Sequence, residues 1–482
     1  MLRHSMRRAI AFKGAIGHHR ALASWRDPFG GDKTKRNLAV VAWTVVCGVV
    51  GAKVAFSVRD NDKPKPRFKK PTAAQPQPTR PPVPDTVYDA AIIGGGVVGL
   101  AVARELAVTF PERRFILLEK SPDLVPGASS GNSGLGCTGY DAPAGSLERK
   151  LLRRSAQRHP NLYRTLGLSY EQVRKSGALV VAWDEEQLEQ LATVHRHNID
   201  AGDTEARILT ASQLLELEPG LLKSEVQPLG AVLVPREAIS EPWLVPIAYA
   251  ENAKRNGCEI RTNSEVMSLT IAPSTDSQAD GDATTGDWFW TITTKSTTDD
   301  ADASTVNAVG AKVIINCAGL FGDEVEAMRS VAAVHAAKHE LLSVEDAVAV
   351  AAAGETAQTS GSDDGHEHRS FAIKPRKGQF VMFDPPSDWP LQPPLDHIIE
   401  PVPSQFTKGV IVWTTLYGQI VIGPTAENQD SRTDRSTTSD VLSKLRAYGR
   451  KVLGNEFMNR AQEVGTYAGI RPATEYRDYQ VG

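Results

Sequence analysis

The run Gly94-Gly95-Gly96-Val97-Val98-Gly99 lies between a short apolar stretch, Tyr88 to Ile93, and a stretch of helix formers, Leu100 to Val108. A G-x-G-x-x-G spacing between strand and helix is a dinucleotide-binding fingerprint, because each glycine has a physical task. Gly94 permits the tight turn, Gly96 lets the backbone approach a pyrophosphate at the helix N-terminus, and Gly99 lets helix and strand pack closely. A second apolar strand, Phe115 to Leu118, ends in Glu119, twenty residues after Gly99. An acid at that place accepts hydrogen bonds from a ribose and repels a 2'-phosphate, which disfavours NADP.

The glycines alone do not separate NAD from FAD. The next segment, Gly127-Ala128-Ser129-Ser130-Gly131-Asn132-Ser133-Gly134, is a small-residue loop rich in hydroxyl and amide groups, placed where the chain leaves the second strand. With it, the chain resembles the D-amino-acid-oxidase-like superfamily of flavoproteins, and within it the glycerol-3-phosphate dehydrogenase and L-2-hydroxyglutarate dehydrogenase branch. Asn132-Ser133-Gly134, Thr138-Gly139-Tyr140-Asp141 and the apolar-basic helix Leu147 to Arg154 carry the likeness. Val234-Pro235-Arg236, Glu241-Pro242-Trp243, Val313 to Gly319, Arg376 to Phe380, Ile422 to Thr425 and Ala468 to Pro472 extend it over nearly all of Tyr88 to Gly482.

The resemblance implies an FAD-dependent oxidoreductase with an α/β fold: a Rossmann-like FAD-binding domain carrying an inserted mixed α+β substrate domain. It places FAD-binding parts at about 86–160, 230–330 and 460–482, and substrate-binding parts at about 161–229 and 370–459. The cofactor would meet Gly94, Gly96, Val97, Val98, Gly99, Glu119, Lys120, Ser129, Asn132, Ser133, Val266, Ala318 and Gly319. Substrates of this branch are anionic, so a buried cation is needed to fix them. Arg471, in Gly469-Ile470-Arg471-Pro472, is the implied partner of a carboxylate or phosphate, a role suited to guanidinium geometry. Its alternative is a structural arginine at a strand end.

Tyr140 is a second candidate against the substrate, with a core tyrosine as the alternative, and Arg376 or Lys377 would add positive charge or form a solvated basic pair. Many relatives carry histidine where this chain has Cys137, so an imidazole role does not transfer there. No general base is identified; a histidine or glutamate would serve. The family usually closes with a further glycine-rich strand and helix contacting the flavin, and none follows before Gly482, so the sequence is expected to be a piece of a longer protein, with an incomplete flavin pocket as the alternative.

The 482 residues, 41% hydrophobic and 23% charged, are enough for two core-bearing domains. A net charge of -3 gives no reason to expect nucleic acid as a partner. Cys47, Cys137, Cys258 and Cys317 have neither zinc nor disulfide spacing. His366 and His368 beside Asp363 and Asp364 read as a polar insertion rather than a metal cluster.

The N-terminal region has a different character. Residues 1–36 carry nine Lys or Arg against two acids, interleaved with apolar residues, the composition of a mitochondrial presequence. Leu38 to Val58 has a single charge, Lys53, and as a helix is about 30 Å long, enough to cross a bilayer. This gives a leader at 1–36, a single transmembrane helix at 37–58 held in membrane lipid, and a Pro-rich spacer at 59–85 with eight prolines. An anchored dehydrogenase in the mitochondrial inner membrane is the resulting expectation, oxidising glycerol 3-phosphate or a 2-hydroxy acid and passing electrons to a membrane acceptor such as quinone. An amine or amino-acid oxidase of the same fold, or a catalytically silent anchored flavoprotein acting as assembly factor, are the competing readings.

Overall fold

The computed structural model of the chain describes residue 84 and residues 86–169, 171–273, 288–298, 306–337, 371–403, 409–476 and 478–479. The expected leader, membrane helix, nearly all of the Pro-rich spacer and the polar insertion around His366 lie outside them. Among the described residues no helix is long and apolar enough to cross a membrane.

The first half is organised by a four-stranded parallel sheet in the order Glu259–Arg261, Phe115–Leu118, Ala90–Ile93, Ile314–Asn316. The two central strands read AAII and FILL and are buried at every position, as expected of parallel strands covered on both faces. Alternation decides what each face meets. Ile92 and Leu117 pack against the helices Val97–Thr109, through Leu100, Ala103 and Leu106, and Leu244–Arg255, through Ala250 and Ala253.

Ala91, Ile93, Ile116 and Leu118 pack on a second layer, where Ser264–Pro273, Trp288–Ser296 and Val306–Ala311 form an antiparallel meander edged by Val87–Tyr88. Helix Gly322–Ala337 covers that meander through Val325 and Ala332. Each fully buried Leu or Ile contributes about 1.5–3 kcal/mol, so these two cores hold the nucleotide end rigid.

The second half is a nine-stranded mixed sheet. Its order is Glu427–Asn428, Lys374–Asp384, Ile420–Gly423, Ile411–Thr414, Ile398–Pro401, Ala178–Ala182, Gly230–Val234, Arg207–Thr210, with Gln462–Ala473 also pairing to Lys374–Asp384. Gly230–Val234 and Gln462–Ala473, which fall within the expected FAD-binding parts 230–330 and 460–482, both hydrogen-bond into this sheet. One face, with Leu179, Val181, Val381 and Phe383, buries Leu442, Leu445 and Val452 of helix Ser439–Arg460. The other carries Val180, Val232, Phe380 and Trp413 and packs around Tyr140.

Two features join the halves. A three-stranded sheet of Leu135–Gly136, Ala238–Ser240 and Val173–Arg174 ties the small-residue loop to the large sheet's flank. In addition, Arg432 holds Asp323 with two guanidinium nitrogens, at 2.6 and 2.8 Å, linking the large sheet's loop to helix Gly322–Ala337. Helix Leu147–Thr165 is longer than its apolar-basic pattern implied and continues past Pro160; Ser146 caps it, and Leu151, Leu152 and Ser155 bury its inner face.

Candidate active site

The glycine turn is shaped by contacts that no side chain would tolerate. Gly94 has φ +113°, and a Cβ there would lie 2.3 Å from the Cys317 carbonyl oxygen; one on Gly99 would lie 2.0 Å from that of Gly94. The turn therefore rests directly on Cys317-Ala318-Gly319, which follows the neighbouring parallel strand, so the structure brings Ala318 and Gly319 beside the fingerprint. Gly96 is the N-cap of helix Val97–Thr109 and supplies no side chain to it, and the first turn contains no acid. The helix thus presents its positive end to a ligand, the arrangement that suits a pyrophosphate.

Around that turn, Ser129 Oγ accepts the Val97 N–H at 3.0 Å, and a Cβ on Gly96 would come within 3.2 Å of the same hydroxyl. Val98 follows in the first turn. The buried Glu119 carboxylate accepts the Gly95 N–H at 2.6 Å and the Ser121 N–H at 2.9 Å, so it fixes the turn besides facing the nucleotide end. Lys120 places its Nζ 3.1 Å from the centroid of the Phe321 ring. Val266 lies where the meander shifts register, between Val266 and Ser268. Asn132 staples its own loop: Nδ2 donates to the carbonyls of Ala128 and Ser129, and Oδ1 accepts the Gly134 N–H. These residues fit a dinucleotide, with a cradle that any added Cβ would fill.

From this end a cavity of about 180 Å³ runs to the large sheet, and its walls include Val97, Ser129, Asn132, Ser133, Cys137, Tyr140 and Arg471. Small residues let the two halves meet along it. A Cβ on Gly469 would lie 1.7 Å from the Gly131 carbonyl oxygen, and one on Gly378 would lie 2.9 Å from Arg471 Nη2.

Parity along Lys374–Asp384 then selects the lining side chains. Arg376, Gly378 and Phe380 face the cavity, while Lys377 points the other way and pairs with Asp434 at 2.8 Å. Arg376 pairs in register with Arg471 on the adjacent strand. Arg471 donates to the Thr425 carbonyl from Nη1 and Nη2, at 3.2 and 3.3 Å. Burial, and then the neighbouring Arg376 charge, push its guanidinium down to about 10, which leaves it cationic at neutral pH.

Tyr140 lines the cavity, but its hydroxyl already donates to Glu400 Oε2 at 2.7 Å. Burial, followed by the charges of Glu400, Asp141 and Glu237, pushes that hydroxyl well above its usual range. Glu237, Glu400 and Asp141 also line the cavity and were not singled out from the sequence. The available signal was a lone acid in an apolar strand, Glu400 in Ile398–Pro401, and Glu237 just beyond the buried strand Gly230–Val234.

Comparison with known proteins agrees with this geometry. The profile of the DAO family, described as FAD dependent oxidoreductase, matches residues 89–346 and 320–482. The chain is 28% identical over 393 residues to a glycerol 3-phosphate dehydrogenase of Caloramator mitchellensis, covering 82% of this chain and 66% of that protein. It is 35% identical over 134 residues to a mitochondrial L-2-hydroxyglutarate dehydrogenase of Dictyostelium discoideum, covering 28% of this chain and 29% of that one. The chain thus spans under two thirds of the length of both relatives. Among solved structures, L-alpha-glycerophosphate oxidase from Mycoplasma pneumoniae with FAD bound superposes with a TM-score of 0.59 at 23% identity, over 81% of this chain and 84% of that one. A dinucleotide cradle at one end of the cavity, a mixed sheet at the other and a family match over nearly all the described residues agree: the chain belongs to the FAD-dependent oxidoreductases of the DAO family.

Proposed function

We propose that this protein is a dehydrogenase that oxidises a small anionic alcohol, glycerol 3-phosphate or an L-2-hydroxy acid, and passes the electrons to a membrane acceptor such as quinone. The observation that carries this reading is the facing pair Arg376 and Arg471 in the cavity wall. Two guanidiniums beside each other in a buried cavity call for an anion, and bidentate geometry suits a phosphate or carboxylate. The named activities of the Caloramator mitchellensis and Dictyostelium discoideum relatives support the same substrate class.

FAD, when bound, supplies the hydride acceptor. The chain's own contribution is placement. Gly94, Gly96 and Gly99, with the Val98 N–H, would hold the pyrophosphate and Glu119 the ribose, while Val97, its N–H held by Ser129 Oγ, would line the same turn. Lys120, Ser129, Asn132, Ser133, Val266, Ala318 and Gly319 would line the rest of the dinucleotide's path. Arg471 and Arg376 would fix the substrate anion, orienting its alcohol carbon within the cavity, with Tyr140 closing the wall. The basic leader at 1–36 and the apolar segment at 37–58 support a place in the mitochondrial inner membrane, as does the mitochondrial name of the Dictyostelium discoideum relative.

The test is the visible spectrum of the full-length chain before and after anaerobic addition of glycerol 3-phosphate, and separately of L-2-hydroxyglutarate. Bleaching of the oxidised-flavin bands by one of them supports the reading and selects phosphate or dicarboxylate. A flavin that resists both but is reduced by an amine, with hydrogen peroxide formed in air, would replace it with an amine oxidase.

A further inference from the structure

Oxidation of a secondary alcohol breaks two bonds, C–H and O–H, and only the first hydrogen leaves as hydride. The hydroxyl proton needs a base, and among the described residues no histidine lines the cavity. We propose that the buried carboxyl pair of Glu237 and Glu400, braced by Tyr140, is the proton acceptor for the substrate hydroxyl. This rests on the alcohol-oxidation reading above.

The geometry is specific. Glu237 is only 1% exposed and lines the same cavity as Arg376 and Arg471. Its Oε1 accepts the N–H and hydroxyl of Thr138, at 3.2 and 3.4 Å, whereas its Oε2 is buried and receives no donor among the described residues. Glu400 lines the same cavity and bears electrostatically on Glu237, and Tyr140 holds Glu400 through its Oε2 at 2.7 Å. Two carboxylates in one buried cavity repel each other, which favours the state in which the pair holds one proton and one negative charge.

Burial, and next the Glu400 charge, push Glu237 well above the ordinary carboxylate range, against the pull of the Thr138 N–H. Asp141 also bears on Glu237 electrostatically, Glu400 on Tyr448 of helix Ser439–Arg460, and Cys137 and the two arginines line the same cavity. A monoprotonated pair in this setting is a base of raised proton affinity, as proton abstraction from an alcohol requires.

FAD, when bound, would take the carbinol hydrogen as hydride, and on the protein's side the substrate O–H bond breaks. The O–H electron pair becomes the second bond of the product C=O, and the proton bonds to the free carboxylate oxygen. The pair passes from one shared proton to two. Glu237 touches the reacting hydroxyl; Glu400 sets its charge, and Tyr140 positions Glu400.

The test uses the full-length, FAD-loaded chain as wild type, Glu237→Gln and Glu400→Gln, with flavin reduction by glycerol 3-phosphate and by L-2-hydroxyglutarate followed in stopped flow against pH. The Glu237→Gln variant should keep its flavin spectrum and KM, lose roughly 10²- to 10⁴-fold in reduction rate, and lose the acid limb of the pH profile. A second readout needs no turnover. Infrared spectra of the oxidised, ¹³C-glutamate-labelled protein should show a protonated glutamate band at neutral pH that disappears in Glu237→Gln and shifts in Glu400→Gln.

Wild-type rates and pH profile in Glu237→Gln would overturn the assignment, as would the absence of that band from the wild type. The band alone decides if a variant fails to hold flavin. A wild-type flavin that neither alcohol reduces overturns the alcohol reading itself, and is distinguishable from failure of the base, in which wild type and variant are reduced equally fast.

Discussion

Arg376 and Arg471 stand opposite each other in the antiparallel pair of Lys374–Asp384 and Gln462–Ala473, both lining the cavity. Like charges placed directly across a sheet are destabilising by some tenths of a kcal/mol, so the pair reads as a site for an anion rather than a stabilising contact. A hydrogen bond to a charged group is worth about 1.5–3 kcal/mol. Truncating either arginine to alanine should therefore lower kcat/KM about 10- to 100-fold for the anionic alcohol. Arg471→Lys should recover only part, because an ammonium lacks the bidentate fork. The double alanine variant should cost less than the sum, since both groups serve one ligand. Inorganic phosphate should raise the melting temperature of the wild type and not of the double variant. Steady-state kinetics and thermal melts check this, and unchanged kcat/KM in both single variants would remove the anion clamp.

Glu119 offers a second test, because its carboxylate has two tasks. One oxygen takes the Gly95 N–H at 2.6 Å and the other the Ser121 N–H at 2.9 Å. Glu119→Gln keeps the shape but turns one acceptor into a donor, which leaves a buried N–H facing an amide N–H at a cost of about 1–3 kcal/mol. The flavin-stripped variant should melt lower than stripped wild type, and FAD should dissociate from it roughly 10- to 100-fold more readily, seen as free-flavin fluorescence on dilution. If the stripped proteins differ while FAD affinity does not, Glu119 serves the glycine turn alone and the ribose contact is withdrawn.

The nucleotide end was readable because its glycines answer to local geometry. A Cβ on Gly94 or Gly99 would strike backbone in its own turn or the neighbouring strand, and such a constraint appears in sequence as a fixed spacing. Even there, the helix begins at Val97, ahead of the helix formers at Leu100, because its first turn closes immediately after Gly96. The substrate end was less readable. Arg376 and Lys377 are equivalent in the sequence, yet strand parity sends Arg376 to the cavity with Gly378 and Phe380, and Lys377 to Asp434. That distinction needs to know which face is covered, and the face is fixed by pairing with Gln462–Ala473, far along the chain. Glu237 and Glu400 are equally non-local: each is one acid beside an apolar strand until the sheet brings them together.

His159 gives a prediction about stability rather than catalysis. It lies on helix Leu147–Thr165 with its ring stacked on Tyr163 at 5.0 Å and its Nε2 against Ser155 Oγ, in a second cavity wall shared with Arg154 and Arg158. Burial lowers its pKa from 6.5 to about 4, so the folded protein holds it neutral where the unfolded chain binds a proton. Between those values the unfolded state carries more protons, and stability rises with pH. The contribution is complete above about pH 6.5 and is lost as pH falls toward 4; at one pKa unit per 1.36 kcal/mol it amounts to about 2 kcal/mol by pH 5. Wild type should accordingly lose stability to urea between about pH 7 and pH 5, a window above most carboxylate titrations, whereas His159→Gln should start lower and vary less with pH. Parallel pH dependence in the two proteins would mean that the imidazole gains its proton in the folded state as readily as in the unfolded chain, and that its contact with Ser155 is open to water.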